Sequence, residues 1–252
     1  MPPFEPAEAY DAAFYASQSG GSYRSAGIVL ERLLGVLPVG SVCDVGCGAG
    51  TRVKAFLEAG VADVLGVDGE HARGSLQIPQ ERFLARDLRQ PLRLDRTFDL
   101  AISVEVAEHL PAERATGFVE DLTRLAPAVL FSAAVPYQVG TDHINERWQG
   151  VWASEFARRG YQAHDLFRPW IWDDAQVEVW YRQNILLYLR ADHPLRARVE
   201  EAVRESPRPA SVIHPAMFPL GFNMDNKRLL LKLLYWSFAR DLRRWRARLP
   251  GA

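Results

Sequence analysis

The chain has 252 residues, 48% of them apolar, and a formal net charge of −1 at pH 7. That length holds one large domain, or a domain with an appendage, and the apolar fraction is ample for a sizeable core. The near balance of 30 basic and 31 acidic residues excludes a global electrostatic pull toward nucleic acid or anionic lipid. Lysine occurs only as Lys54, Lys227 and Lys232, and the arginine bias points to a GC-rich genome. Cys43 and Cys47 flank a glycine loop and read as reduced thiols, not as a disulfide framework or zinc site. The opening Met-Pro-Pro-Phe-Glu-Pro lacks a basic region and an apolar core, so no signal peptide is expected. No run approaches a membrane span, and a cytoplasmic location is expected.

In chain order, residues 1–24 form an N-terminal arm or lid, with Tyr10, Phe14, Tyr15 and Tyr23 among small polar residues. An amphipathic helix over 25–37 stops at Pro38. Strands at 41–46, 62–67, 82–86, 97–103 and 128–134 alternate with helices at 51–59, 70–76 and 111–125. Such alternation predicts an α/β fold with a mostly parallel sheet and helices on both faces. A helix over 150–159 precedes strands near 161–167 and 182–190, which suit an antiparallel edge hairpin. Residues 191–252 read as a helical C-terminal extension: a polar helix at 194–205, a turn at Ser206-Pro207-Arg208-Pro209, and a last helix over 226–248. Leu231, Leu234, Phe238, Leu242, Trp245 and, just past it, Leu249 fall at helical spacing along one face, and Arg228, Lys232, Arg240, Arg243, Arg244, Arg246 and Arg248 supply basic charge. Such a stripe docks on the domain or on a second copy in a homodimer; the basic face could also meet a membrane surface or acidic partner.

Val42-Cys43-Asp44-Val45-Gly46-Cys47-Gly48-Ala49-Gly50 is the most informative stretch. A buried strand turns sharply into a helix that begins near Thr51, and glycines there permit positive φ and close approach of a ligand. Asp44, at the strand's end, suits a cationic group and repels a pyrophosphate. The glycine spacing is not the G-x-G-x-x-G of dinucleotide sites.

The D-x-G-x-G-x-G spacing resembles the first motif of class I S-adenosylmethionine (SAM) methyltransferases. Val64-Leu65-Gly66-Val67-Asp68, Phe83-Leu84-Ala85-Arg86-Asp87-Leu88 and Phe98-Asp99-Leu100-Ala101-Ile102-Ser103 resemble the next three pieces, in order. The resemblance covers about residues 25–190, the expected SAM-binding domain. It implies a Rossmann-like, seven-stranded sandwich. It also implies SAM contacts from Asp44, Gly46, Gly48, Gly50, Asp68 (ribose), Asp87 and Leu88 (adenine), and Glu105.

After the fourth strand comes Glu105-Val106-Ala107-Glu108-His109. In a helical turn, positions 105, 108 and 109 share a face and can hold a divalent cation. A later histidine, His143, lies in the loop after the fifth strand. E-x-x-E-H with a distant His resembles metal-dependent O-methyltransferases, among them small-RNA 3′-end enzymes; quinone-ring O-methyltransferases also carry E-x-x-E-H. The implied metal set is Glu105, Glu108, His109 and His143 with Mg²⁺, and His143 is also a candidate general base. Asp142 or Asn145 would orient its imidazole. Tyr137, Asp142, Asn145 and Trp148 are candidate acceptor contacts, since aromatic faces suit sugars; about half of the aromatics after the fifth strand are expected in the core.

His143 to Trp148, Trp180 to Asn184, and Ile213 to Phe218 resemble methyltransferases encoded among glycosyltransferases in polysaccharide pathways. With the arginine bias, mycobacterial sugar O-methyltransferases of methylmannose polysaccharide synthesis are the nearest of these. The expected activity is transfer of a methyl group from SAM to a hydroxyl of a mono- or oligosaccharide. No nucleic-acid partner is expected, because no basic domain or stacking motif accompanies the metal set. Alternatives are a metal-free enzyme for a small aromatic or amine, an RNA 3′-end 2′-O-methyltransferase, and a SAM-binding protein without catalysis.

Overall fold

In the computed structural model the described residues are 12–138 and 140–204, with 211–214, 217, 231, 234–236 and 238 beyond them; side chains are described from residue 20 onward. The chain divides into two compact units, Met1–Ile213 and His214–Ala252. The first is built on a seven-stranded sheet: β1 (Ser41–Val45), β2 (Asp63–Asp68), β3 (Phe83–Ala85), β4 (Leu100–Val104), β5 (Ala128–Ser132), β6 (Tyr161–His164) and β7 (Leu186–Arg190). The strand order is β3-β2-β1-β4-β5-β7-β6, and only β7 runs antiparallel to its neighbours.

Strand periodicity divides the core into two layers. Val42, Leu100, Ile102, Leu130 and Leu187 point to one face, under Leu30 and Leu33 of α1 (Ala12–Val36) and Val53 and Phe56 of α2 (Thr51–Glu58). Cys43, Val45, Ala101, Val129 and Phe131 point to the other, under Phe118 and Leu122 of α3 (Ala115–Leu125) and Trp152 and Phe156 of α4 (Gln149–Ala157). Short helices α5 (Arg168–Ile171) and α6 (Val179–Asn184), then α7 (Arg196–Arg204), complete the unit. Strand order reverses between β1 and β4, so the carboxyl ends of these two strands open a crevice, the usual ligand position of such sheets.

Several boundaries differ from the sequence expectation. Helix α1 begins at Ala12, so the arm expected over 1–24 has no break at residue 24. Gly20 and Gly21 lie inside the helix; a Cβ at Gly21 would meet the Glu178 side chain, so tertiary packing overrides their weak helix propensity. The segment expected as one strand over 182–190 is helix to Asn184 and strand from Leu186. The helix expected at 70–76 is a 3₁₀ turn over Glu70–Ser75. The expected strand 161–167 ends at His164, where Leu166 and Phe167 enter the core and α5 follows. In the second unit residues 231, 234–236 and 238 are helical. The remainder of the expected helix 226–248 and the turn at 206–209 lie outside the described residues. No helix among the described residues is long and apolar enough to cross a membrane.

Candidate functional site at the carboxyl edge of the sheet

The loop after β1 uses its glycines for conformation: Gly46, Gly48 and Gly50 have φ of 84°, 55° and 82°. A side chain at any of them would be strained, and one at Gly46 would also strike Val106. Asp68 closes β2 beside this loop. Its carboxylate accepts the amide of Gly48 at 2.7 Å and the amide of Gly69 at 2.7 Å. Burial raises its pKa, and the two amide bonds oppose that shift. An ionised carboxylate has about four acceptor positions, so capacity remains for a vicinal diol. His71 Nε2 stands 3.7 Å away. Asp87 is exposed and held by its own neighbour Arg89, at 2.9 Å from Nε, which keeps its pKa low. The Leu88 side chain is buried, and its carbonyl accepts Arg114 Nε at 3.1 Å.

Asp44 lies on the α1/α2 face of the sheet, shared with Val42 by strand alternation. It is fully buried, and Arg52 Nε donates to both its oxygens at 3.1 Å.

Glu105 differs from expectation. The 3₁₀ turn after β4 covers only Ala107–His109, and Glu105 lies outside it in the left-handed region, at φ 56°. Its carboxylate therefore leaves the expected helical face. It accepts Ser132 Oγ at 2.7 Å, Gln138 Nε2 at 2.8 Å and Asn184 Nδ2 at 3.2 Å. Ser132, Gln138 and Asn184 were not expected in the site; they reach it from β5, the loop after it, and α6.

Glu108, His109 and His143 do converge: one donor atom from each lies within 4.8 Å of the others. Glu105 is not in this group. The Glu108 carboxylate is wholly buried and neither oxygen has a partner at hydrogen-bond geometry; the amides of Glu108 and Ala134 and the Glu105 carboxylate are the polar groups near it. Burial, then the charge of Glu105, pushes its pKa well above the usual carboxylate range. Burial, then His143, lowers the His109 pKa to about 4, so this imidazole is neutral near pH 7. The two rings meet edge to face, with centroids 5.0 Å apart. His143 Nδ1 lies 3.2 Å from Glu146 Oε1, and the other Glu146 oxygen accepts the Tyr137 amide at 2.9 Å. Glu146, not Asp142 or Asn145, thus orients the ring. With the proton on Nδ1, Nε2 presents a lone pair. A buried carboxylate beside two imidazoles is the chemistry of a cation site, and a carboxylate behind a histidine is its usual support.

The loop after β5 supplies the remaining calls. Tyr137 (φ 70°, 80% exposed) and Trp148 (39% exposed) are open to solvent. Asp142 has φ 53°; its backbone and that of Thr141 lie against His109. Asn145 is buried: its amide donates to the Ala107 carbonyl at 3.2 Å and its oxygen accepts Arg147 at 2.6 Å. Trp152 is core, packed on Phe131. Cys43 and Cys47 are free thiols, both buried.

The family profile described as a methyltransferase domain matches residues 42–127. The chain is 32% identical over 116 residues to the magnesium-protoporphyrin O-methyltransferase of Synechocystis sp., a match covering 42% of this chain and 49% of that protein. The chain thus spans about half the length of the curated relative it matches. A solved structure of magnesium protoporphyrin IX methyltransferase (ChlM) from Synechocystis PCC 6803 with bound S-adenosylhomocysteine (SAH) superposes with a TM-score of 0.51 at 21% identity, covering 70% of this chain and 87% of that one. CalS10, a SAM-bound amino pentose methyltransferase from Micromonospora echinaspora, superposes with a TM-score of 0.51 at 15% identity, covering 70% and 96%. At these identities the two structures establish the fold. Residues 42–127 thus match a methyltransferase domain, and the fold is the one that the ChlM and CalS10 structures share.

Proposed function

We propose that the chain is a SAM-dependent O-methyltransferase acting on a hydroxyl of a mono- or oligosaccharide, with a divalent cation held by Glu108, His109 and His143. One observation carries this: a carboxylate fixed on the three-glycine loop, and a buried carboxylate without a hydrogen-bond partner grouped with two imidazoles, both follow strands at the carboxyl edge of the sheet. Asp68 would take the ribose hydroxyls and Asp87 with Leu88 the adenine edge. O-methylation is supported by the O-methyltransferase matched at 32% identity. A sugar acceptor is supported by Tyr137 and Trp148, exposed in the loop after β5, and by the amino pentose methyltransferase built on this fold. A role in polysaccharide pathways, methylmannose polysaccharide synthesis among them, rests on the resemblance of segments 143–148, 180–184 and 213–218.

Two imidazoles and one carboxylate suit Mn²⁺, Fe²⁺ or Zn²⁺ better than Mg²⁺, which prefers oxygen ligands. A bound cation supplies Lewis acidity, which lowers the pKa of a weakly acidic hydroxyl. Glu108 compensates a cation's charge where no other partner meets it. Glu146 lies against Nδ1 of His143; with the proton held there, Nε2 is left as the acceptor. An Nε2 that ligates cannot also accept a proton, so the two roles of His143 exclude each other. Its place in the cluster favours ligation; the Glu146 contact equally suits a general base. Exposed Leu231, Leu234 and Phe238 support a second copy of the chain as the partner of the C-terminal helix.

The test is turnover of methyl-labelled SAM against a panel of mono- and disaccharides. Labelled saccharide is expected. Binding of SAM with no transfer to any hydroxyl compound would support a non-catalytic SAM protein instead.

A further inference from the structure

The hydrogen-bond network around Glu105 has no role in the chemistry above. Glu105 directly follows β4, whose carboxyl end borders the crevice, and it holds a φ of 56°. Among the described residues, the other non-glycine positions of positive φ are Tyr137 and Asp142, both in the loop after β5. Non-glycine residues held in this region cluster at functional sites, where their surroundings over-determine them. The bonds of the network nearly exhaust its polar capacity. Glu105 Oε1 accepts both Ser132 Oγ and Asn184 Nδ2, which fills its two lone pairs. Asn184 Nδ2 gives its second hydrogen to Gln138 Oε1 at 2.8 Å, and Asn184 Oδ1 accepts Gln149 Nε2 at 3.3 Å. Gln138 Oε1 also accepts the Val135 amide at 3.3 Å. Among the described residues, one lone pair on Glu105 Oε2 and one N–H on Gln138 Nε2 take part in none of these bonds.

Those two atoms bond each other at 2.8 Å, so an acceptor and a donor with spare capacity stand side by side. They belong to the half-buried members of the network, Glu105 and Gln138, whereas Ser132 and Asn184 are buried. The spare capacity therefore lies on the accessible side. A hydroxyl both donates and accepts. Of two adjacent hydroxyls, one can donate to Oε2 while its neighbour accepts from Nε2. We propose that Glu105 and Gln138 together bind two adjacent hydroxyls of the acceptor, and so select saccharides that carry a diol beside the reacting position. This rests on the saccharide acceptor proposed above. The Glu105 charge is felt at Glu108, so the pair borders the proposed cation group. A phenol with one hydroxyl, or an amine, leaves one of the two atoms unmet, and a site built to bond a hydroxyl rejects the analogue that lacks it. Ser132 and Asn184 are positioning residues, which fix the carboxylate without touching the acceptor.

The experiment measures kcat and KM of labelled methyl transfer to glucose, mannose, galactose and their disaccharides, then to each monodeoxy analogue of the one methylated. In wild type, loss of the hydroxyl on Glu105 should lower kcat/KM by about 10- to 100-fold, and loss of its neighbour on Gln138 by about 2- to 10-fold. Gln138→Leu should lower kcat/KM for the parent sugar by the smaller factor, chiefly through KM, and lose nothing further on the analogue without that hydroxyl. Glu105→Gln, which keeps the shape without the charge, should behave likewise toward the other hydroxyl. Both variants should bind SAH as wild type does in calorimetry, which shows that they are folded, and both should still bind Mn²⁺. If Glu105→Gln does not fold, Gln138→Leu, which leaves the left-handed position untouched, decides alone. Equal losses on the parent sugar and on every analogue overturn the inference, as does a Glu105→Gln protein that no longer binds Mn²⁺, the mark of a metal ligand. A wild type that methylates no saccharide refutes the acceptor class itself, a separate outcome.

Discussion

Gly140→Ala isolates the role of His143 without touching it. Gly140 is not among the residues of positive φ, so alanine suffers no backbone penalty there. The obstacle is space. A Cβ at Gly140 would lie 2.1 Å from His143 Nε2, 2.4 Å from Cε1 and 2.7 Å from Cδ2. Ordinary contact begins near 3.4 Å, so the ring must retreat by the difference, about 1.3 Å. It has little room, since Glu146 holds Nδ1 and His109 stands edge-on at 5.0 Å. Metal–ligand distances tolerate about 0.2 Å. The variant should therefore lose cation affinity by at least about tenfold, and turnover by about 10²-fold. Titration calorimetry with Mn²⁺ and Mg²⁺ reads the first, and labelled methyl transfer the second. SAH affinity should stay at the wild-type value, because the glycine loop and Asp68 are on other elements. A Gly140→Ala protein with wild-type cation affinity and turnover would refute the placement of His143 in the site.

Asp68→Ala removes the acceptor fixed by the Gly48 and Gly69 amides; SAH binding should weaken by about 1.5–3 kcal/mol in calorimetry, and unchanged affinity would contradict a ribose contact. His143→Ala separates ligand from base: excess Mn²⁺ partly restores activity if the ring is a ligand, whereas loss of a base lowers turnover by about 10²–10⁴ at any cation concentration. The pH dependence of stability follows from His109, whose pKa is about 4 in the fold and about 6.5 in an unfolded chain. Between those values the unfolded state binds the extra proton. Stability of metal-free protein should be level above about pH 6.5 and fall below it, by about 3 kcal/mol on reaching pH 4. Denaturant midpoints of wild type and His109→Gln across that range check this, and equal slopes would contradict it.

Much of the sheet was legible because β1, β2, β4 and β5 are short, largely apolar runs. The loop 46–50 was legible for the same local reason: three glycines in alternation leave few conformations other than a tight turn. Segment 179–184 was not, since Val-Trp-Tyr favours a strand locally; it is helical where Tyr181, Gln183 and Asn184 are buried. Glu105 was misplaced because spacing treats the turn after β4 as regular helix. Its carboxylate is directed by Ser132, Gln138 and Asn184, partners between 27 and 79 residues away. Glu146 left a usable signal, a carboxylate three residues after His143, with the same spacing as a helical pair. Arg52 left none, because its pairing with Asp44 depends on which sheet face Asp44 takes.

The most direct test of the cation centre is SAM-dependent methyl transfer after EDTA treatment, and again on return of Mn²⁺ or Mg²⁺, in wild type and Glu108→Gln. Glu108 is the buried carboxylate without a hydrogen-bond partner, and glutamine keeps its shape without its charge. Wild type should lose transfer in EDTA and regain it with the cation, whereas Glu108→Gln should stay inactive throughout while binding SAH as wild type does. Transfer that survives EDTA, or a Glu108→Gln enzyme that turns over normally, would contradict a cation held by Glu108, His109 and His143.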